Sequence, residues 1–132
     1  MTNGADIFPD PERDNLRRLA DALRELDARV RSVETPDGLP LDPHPDLLAG
    51  MAMLNLTTRC GDLDIAFEPA GLSSYPSVRA EAVEFDLSGT RVAVAALADI
   101  IRSKEAADRP KDRATLPLLY ALEEEIARRG TD

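Results

Sequence analysis

The chain has no tryptophan, one cysteine and one histidine, and only 4% of it is aromatic. A lone cysteine, Cys60, excludes an internal disulfide and fits a reducing compartment. One histidine and one cysteine cannot build a zinc centre, and they leave no nucleophile–histidine–carboxylate triad to assemble. His44 sits in Asp-Pro-His-Pro, a turn-rich segment, and is expected as an exposed loop residue. Cys60 stands beside Gly61 with only Arg59 as a basic neighbour, so it is expected as a turn residue rather than a nucleophile. Positive charge is also scarce: 16 Lys+Arg against 25 Asp+Glu give a formal net charge of -9. Such a chain has no broad surface for nucleic acid, and a phosphate site would need a bound cation or a local basic cluster. No apolar run approaches ~20 residues, so no membrane span is expected. The opening MTNGADIFPDPERD is polar and acidic, unlike a secretory leader. Together with the single cysteine, it predicts a cytoplasmic protein.

What is present is enough for one domain: 132 residues, 43% of them apolar, a length that buries roughly two-thirds of its unfolded surface. The most regular stretch is Leu54–Pro69, LNLTTRCGDLDIAFEP. Apolar and polar residues alternate on both sides of Cys60-Gly61, the pattern of a strand pair with one buried face. Pairing Thr58 with Leu63 sets Thr57 opposite Asp64, Leu56 opposite Ile65 and Leu54 opposite Phe67. One face then carries Leu54, Leu56, Leu63, Ile65 and Phe67. The other carries Asn55, Thr57, Arg59, Asp62 and Asp64. A one-residue slip would bury the carboxylates and expose the leucines. Asp62 and Asp64 project from the same face of one strand, and they repel unless a cation or a cationic side chain sits between them. Two readings follow: oxygen ligands of a kind that suits magnesium, or hairpin-end residues in an ion-pair network, one of them paired with Arg59.

The flanking segments supply the rest. Asp10-Pro11-Glu12 is a helix start, and Leu16, Leu19, Leu23 and Leu26 with Ala20 form a stripe that predicts a helix from about Pro11 to Ala28. Ala5–Phe8 and Val30–Val33 are candidate short strands. Glu34–Pro45 and Pro69–Pro76 are loops by their proline content, and Asp46–Gly50 has the length of one helical turn. Val83–Ala95 predicts a second hairpin turning at Ser88-Gly89, with Val83, Phe85 and Leu87 aligned to Val94, Val92 and Thr90, and Asp86 facing Arg91. Leu97, Ile100 and Ile101 begin a helical stripe that continues to Lys104. That lysine either snorkels to water or aims its charge at a site between helix and sheet. Arg109-Pro110-Lys111-Asp112 opens a last helix with Leu118, Leu119, Leu122 and Ile126 as its inner stripe. There Pro117 either follows a restart at Thr115 or kinks the helix. The expected class is α+β, a mixed or antiparallel sheet built from the two hairpins and flanked by helices.

TTRCGDLDIAFEPAG, the Val83–Ala95 hairpin and ALADIIRSKEAADRPKD together resemble small bacterial nucleotidyltransferase-like proteins of the DNA polymerase β-type superfamily, many of them found near toxin–antitoxin systems. The resemblance covers roughly Asp6 to Arg128 and is most specific from Asn55 to Asp112. It implies a mixed sheet flanked by helices and a glycine motif that holds a triphosphate. It also implies an Asp-x-Asp pair and a third carboxylate that bind two magnesium ions. ADIFPDPERDNLRRL is similar to the segment after that pair. Asp6 then matches the second aspartate, and the first falls on Gly4, which has no carboxylate. The glycine motif falls before residue 1, so the resemblance is to a trimmed or degenerate member. Asp64, or in second place Asp62, matches the third carboxylate. Lys104 and Lys111 match basic positions near the family's site.

The resemblance thus implies a degenerate nucleotidyltransferase-like domain over residues 1–132, with Asp62 and Asp64 as catalytic candidates. Asp6, Asp62 and Asp64 would be metal ligands for a weakly held Mg2+, and Lys104 and Lys111 would face a nucleoside triphosphate. The alternatives are a non-catalytic interaction protein such as an antitoxin-like partner, or a transferase completed by another chain. An apolar strip at Ala5–Phe8, where the family's first helix packs, predicts a protein partner or self-association.

Overall fold

The computed structural model describes residues 4–130. The chain divides into two compact units, Met1–Pro69 and Ala70–Asp132. The first holds β1 (Gly4–Ile7), α1 (Arg13–Glu25), β2 (Arg29–Val30), β3 (Leu39–Pro40), α2 (Pro45–Ala49), β4 (Met53–Thr58) and β5 (Gly61–Ala66). Its strands form one mixed sheet in the order β1-β5-β4-β2-β3. β1 runs parallel to β5, and the other pairs are antiparallel. The α+β class therefore stands.

The core follows from the two periodicities. Leu54, Leu56 and Ile65 point from one face of the sheet into a cluster with Leu16, Ala20 and Leu23 of α1 and Leu48 of α2, all buried. Leu63 and Phe67 pack against it half-buried. α1 starts later than the Asp10-Pro11 pair suggests. Asp10 uses its Oδ1 to accept the Glu12 N–H at 3.0 Å, and its carbonyl accepts from Asn15 Nδ2 at 2.9 Å. Asp10 thus shapes a turn ahead of the helix. At the other end Asp27 takes a left-handed φ of 52° and ends the helix.

The β4–β5 hairpin keeps the expected faces but not the expected partners. Thr58 pairs with Gly61, Thr57 with Asp62, Leu56 with Leu63, Asn55 with Asp64 and Leu54 with Ile65. The register is displaced by two residues from the sequence-based one. Such a displacement leaves every side chain on its own face, so alternation cannot detect it. The turn decides it. Thr58 Oγ1 accepts the Cys60 N–H at 3.0 Å and donates to the Gly61 carbonyl at 2.7 Å, closing the loop around Arg59 and Cys60. Gly61 takes φ 125°, a conformation that favours glycine.

The second unit holds α3 (Tyr75–Glu81), β6 (Val83–Leu87), β7 (Thr90–Val94), α4 (Leu97–Ala107) and α5 (Pro110–Gly130). β6 and β7 turn at Ser88-Gly89 in the predicted register, Val83 with Val94, Phe85 with Val92 and Leu87 with Thr90. They make a two-stranded sheet of their own, so the two hairpins do not share one sheet as expected. Asp86 lies opposite Arg91 in the ladder, but the charges pair otherwise. Asp86 Oδ1 accepts the Gly89 N–H at 2.8 Å, and Arg91 reaches Glu84 at 3.2 Å. α3 begins inside the expected Pro69–Pro76 loop, because its start lies within a loop-like Ser/Pro run. Ser74 caps it, accepting the Ser77 N–H at 3.4 Å, and a proline sits in its first turn.

α5 is one helix with Pro117 inside it. Its buried residues are Asp112 and Leu116; of the expected inner stripe Leu119 is half-buried, whereas Leu118, Leu122 and Ile126 are exposed. The inner face begins with a charged residue, which a search for apolar spacing passes over. Among the described residues no helix is long and apolar enough to cross a membrane.

Candidate functional site

The sheet face opposite the first unit's core is polar, and the register builds it in rows. Asn55 on β4 pairs with Asp64 on β5, and Asp64 with Asp6 on β1. One row over, Arg29 pairs with Thr57, Thr57 with Asp62, and Asp62 with Gly4. Paired residues in neighbouring strands share a face. Asp6, Asp62 and Asp64 are therefore brought to one side of the sheet.

The face also holds a residue that the sequence reading missed. The Arg31 N–H donates to the Asn55 carbonyl at 2.9 Å, which continues the Asn55–Asp64–Asp6 row by one position. Its guanidinium then lies between the two aspartates. Nη2 donates to Asp64 Oδ1 at 2.7 Å, Nη1 lies 3.4 Å from Asp62 Oδ2, and Nη1 also donates to the Leu56 carbonyl at 3.0 Å. The Arg31 side chain is 34% exposed and that of Asp64 23%, so the pair is partly withdrawn from water.

Arg59, the expected partner, is engaged elsewhere. Its N–H donates to the Leu26 carbonyl and its Nε to the Glu25 carbonyl, both at 3.1 Å. These bonds satisfy carbonyls at the end of α1 that the helix leaves open. Arg59 is in the turn, beside the α1 terminus, while Arg31 is aligned with the aspartates by the ladder.

Gly4 is tightly placed. A Cβ added there would stand 2.7 Å from the Asp62 carbonyl oxygen. A carboxylate-bearing residue at position 4 would therefore require the strand pair to shift. An open cleft of about 400 Å³ lies at the turn end of these strands, lined from both faces by Gly4 and Asp62 and by Ala5, Leu26 and Leu63 among others.

Magnesium, the ion that the resemblance implies, can be tested against this donor set. Among the described residues no three His, Cys, Asp or Glu side chains are grouped so as to hold a metal ion. Asp64 and Asp62 are already turned to the Arg31 guanidinium. As they stand, these residues do not fit the ion.

Lys104 and Lys111 belong to the second unit. Lys104 Nζ lies 3.6 Å from Asp112 Oδ1, so its stripe position leads to a carboxylate on α5. Asp112 has no exposed side-chain surface. Its Oδ2 accepts from Arg109 Nε at 2.7 Å and from the Arg109 backbone N–H at 3.1 Å, the second being the reach-back of a capping box at the start of α5. Burial alone would raise the Asp112 carboxyl. The bonds from the Arg109 guanidinium and backbone, with the charges of Arg109 and Lys104, outweigh burial and hold it below its ordinary value. Lys111 is exposed on the first turn of α5, and its carbonyl accepts from Thr115 Oγ1 at 2.9 Å.

His44 caps α2, its Nδ1 accepting the Asp46 N–H at 3.2 Å, and Cys60 is an exposed free thiol. Neither touches the carboxylate face through a hydrogen bond or ion pair among the described residues. No protein-family model matches the chain, and no curated protein matches it.

Proposed function

We propose that the chain is a nucleotidyltransferase-like domain that does not carry out two-metal nucleotidyl transfer on its own carboxylates. The observation that carries this reading is the parallel register of Asp6 with Asp64. The resemblance assigns those two residues, from distant parts of the sequence, as the pair's second aspartate and the third carboxylate. Neighbouring parallel strands are where such groups can meet. Two features support inactivity. Gly4 supplies no carboxylate, and its setting leaves no room for a Cβ without a backbone shift. Arg31 already pairs with both Asp64 and Asp62. A two-metal mechanism needs carboxylates around both ions, because each ion offsets charge on a different oxygen of the reacting phosphate.

The test is to incubate the purified chain with magnesium, labelled nucleoside triphosphates, and RNA and protein acceptors. No transfer that depends on Asp64 is expected. Transfer that disappears in Asp64→Ala would overturn the reading.

A second reading, an interaction protein of the antitoxin-like kind or a self-associating one, has its own support. Val83, Phe85 and Leu87 share one face of β6 and are 53%, 51% and 59% exposed. Contiguous exposed apolar surface commonly marks a protein contact. Sedimentation over a range of concentrations, with Phe85→Ser as the control, tests it. A clean monomer at every concentration, with nothing co-purifying from cells, would remove that support. The Ala5–Phe8 strip carries less of the argument, since Ile7 packs half-buried against the core.

A further inference from the structure

We infer that Arg31 is the resident cation of the carboxylate face, and that it excludes a divalent metal ion from Asp62 and Asp64 in the folded chain. The inference rests on the geometry of the face. It takes from the nucleotidyltransferase-like reading only the identity of the ion excluded.

Two carboxylates on one side of a strand need positive charge between them. Arg31 supplies it from a fixed position, since its own N–H is held by the Asn55 carbonyl at 2.9 Å. The side chain crosses β4 to Asp64, at 2.7 Å, and spreads to Asp62, at 3.4 Å. The Leu56 carbonyl, 3.0 Å from Nη1, fixes the plane of the guanidinium. This arrangement uses what distinguishes arginine from lysine: several donors in a rigid fork, and a charge that water solvates weakly.

A magnesium ion would have to displace that group. It would need oxygen ligands at about 2.0–2.1 Å in near-octahedral geometry, and it gives up its water reluctantly. The guanidinium is tethered to the same sheet, so it competes at an effective concentration of about millimolar or above. A site with two usable carboxylates does not overcome both obstacles. The same bridge ties the segment just after β2 to β5 across β4, so it also holds the sheet together.

The test is a titration of the isotopically labelled full chain with Mn2+, followed by paramagnetic broadening of its amide signals and by Tm. In the wild type, millimolar Mn2+ should leave the Asp6, Asp62 and Asp64 amides no more broadened than those of other exposed acidic residues. Arg31→Ala should lower Tm by about 5 °C and should broaden Asp62 and Asp64 selectively. Arg31→Lys, which keeps the charge without the fork, should fall between the two. Selective broadening of Asp62 and Asp64 in the wild type would overturn the inference, and that measurement needs no variant. So would an Arg31→Ala chain that keeps the wild-type Tm and shows no new broadening. Asp64-dependent label transfer from a wild type that excludes Mn2+ would instead overturn the functional reading and leave the role of Arg31 standing.

Discussion

The two hairpins share one pattern and meet opposite fates. β4–β5 and β6–β7 both alternate apolar and polar residues around a tight turn. In the first, Leu54, Leu56 and Ile65 are 4%, 0% and 0% exposed, because α1 and α2 bring leucines to that face. In the second, Val83, Phe85 and Leu87 remain about half exposed. Alternation therefore specifies which side chains share a face. It does not specify that anything will cover that face. Coverage depends on a second amphipathic element arriving from elsewhere in the chain or from another molecule.

The largest expected effect bears on that contrast directly. Leu56→Ala should cost about 3 kcal/mol, since it opens a cavity in a closed core. Phe85→Ala should cost less than about 0.5 kcal/mol, as a surface change does. Denaturant unfolding of both variants checks this. Equal losses would show that the β6–β7 face is covered in solution and would break the comparison.

If an uncovered hairpin contributes little, the second unit must draw its stability from its helices. Asp112 is the place to look. Asp112→Asn keeps the shape and removes the charge that Arg109 and Lys104 share, and should cost about 2 kcal/mol at neutral pH. The folded carboxyl lies below the ordinary value of 3.8. Its contribution is therefore fully present above the unfolded value and is lost as pH falls through the folded one. The gap between wild type and variant should be flat above about pH 5 and should close in acid. A gap that widened on acidification would reverse the assignment.

The turns sharpen the comparison further. Gly61→Ala should cost about 1 kcal/mol, since φ 125° disfavours a Cβ. It should act on the unfolding of the sheet as a whole. Smallest of all, Ser88→Asn should stabilise by about 0.5 kcal/mol, because Ser88 sits at φ 54° and asparagine tolerates that region better. Its effect should be confined to β6–β7, as amide exchange would show. Loss of stability in Ser88→Asn would mean that the turn differs from the one described.

How much of this was legible beforehand follows the same physics. The faces of both hairpins could be read, since period two is a direct consequence of the pleat. The β6–β7 register could be read too, because Ser88-Gly89 marks its turn. The β4–β5 register could not, because a displacement by two preserves the pattern, and the Thr58 side-chain bonds that choose between registers leave no periodic trace. Asp6, Asp62 and Asp64 were picked out as candidates. Their partner Arg31 is not marked in the sequence: it lies in the candidate Val30–Val33 strand, one residue past the β2 that forms, with nothing in its spacing to tie it to the aspartates, and Arg59 is nearer to them in sequence. In α5 the apolar spacing points to the inner face only at half-buried Leu119, because the buried face starts at Asp112 and only then turns apolar at Leu116. For α3 the signal was present in Ser74 followed by Pro76, a cap and a first-turn proline, but it lay inside a run that resembled a loop.

Pro117 has a consequence for how α5 comes apart. It offers no N–H, so the Arg113 carbonyl goes without its helical donor, and the last buried residue of the helix, Leu116, lies just before it. Just beyond it, half-buried Leu119 and the Tyr120 hydroxyl, which donates to Glu105 of α4 at 2.7 Å, still hold the helix; after Tyr120 it rests on its own ladder and on the pairs that Glu125 makes with Arg128 and Arg129. A segment of that length is marginal by itself in water. It should therefore fray as a separate cooperative piece. Its amides should exchange with solvent well before those around Leu116, and a protease should nick the chain after Tyr120 while the rest stays folded.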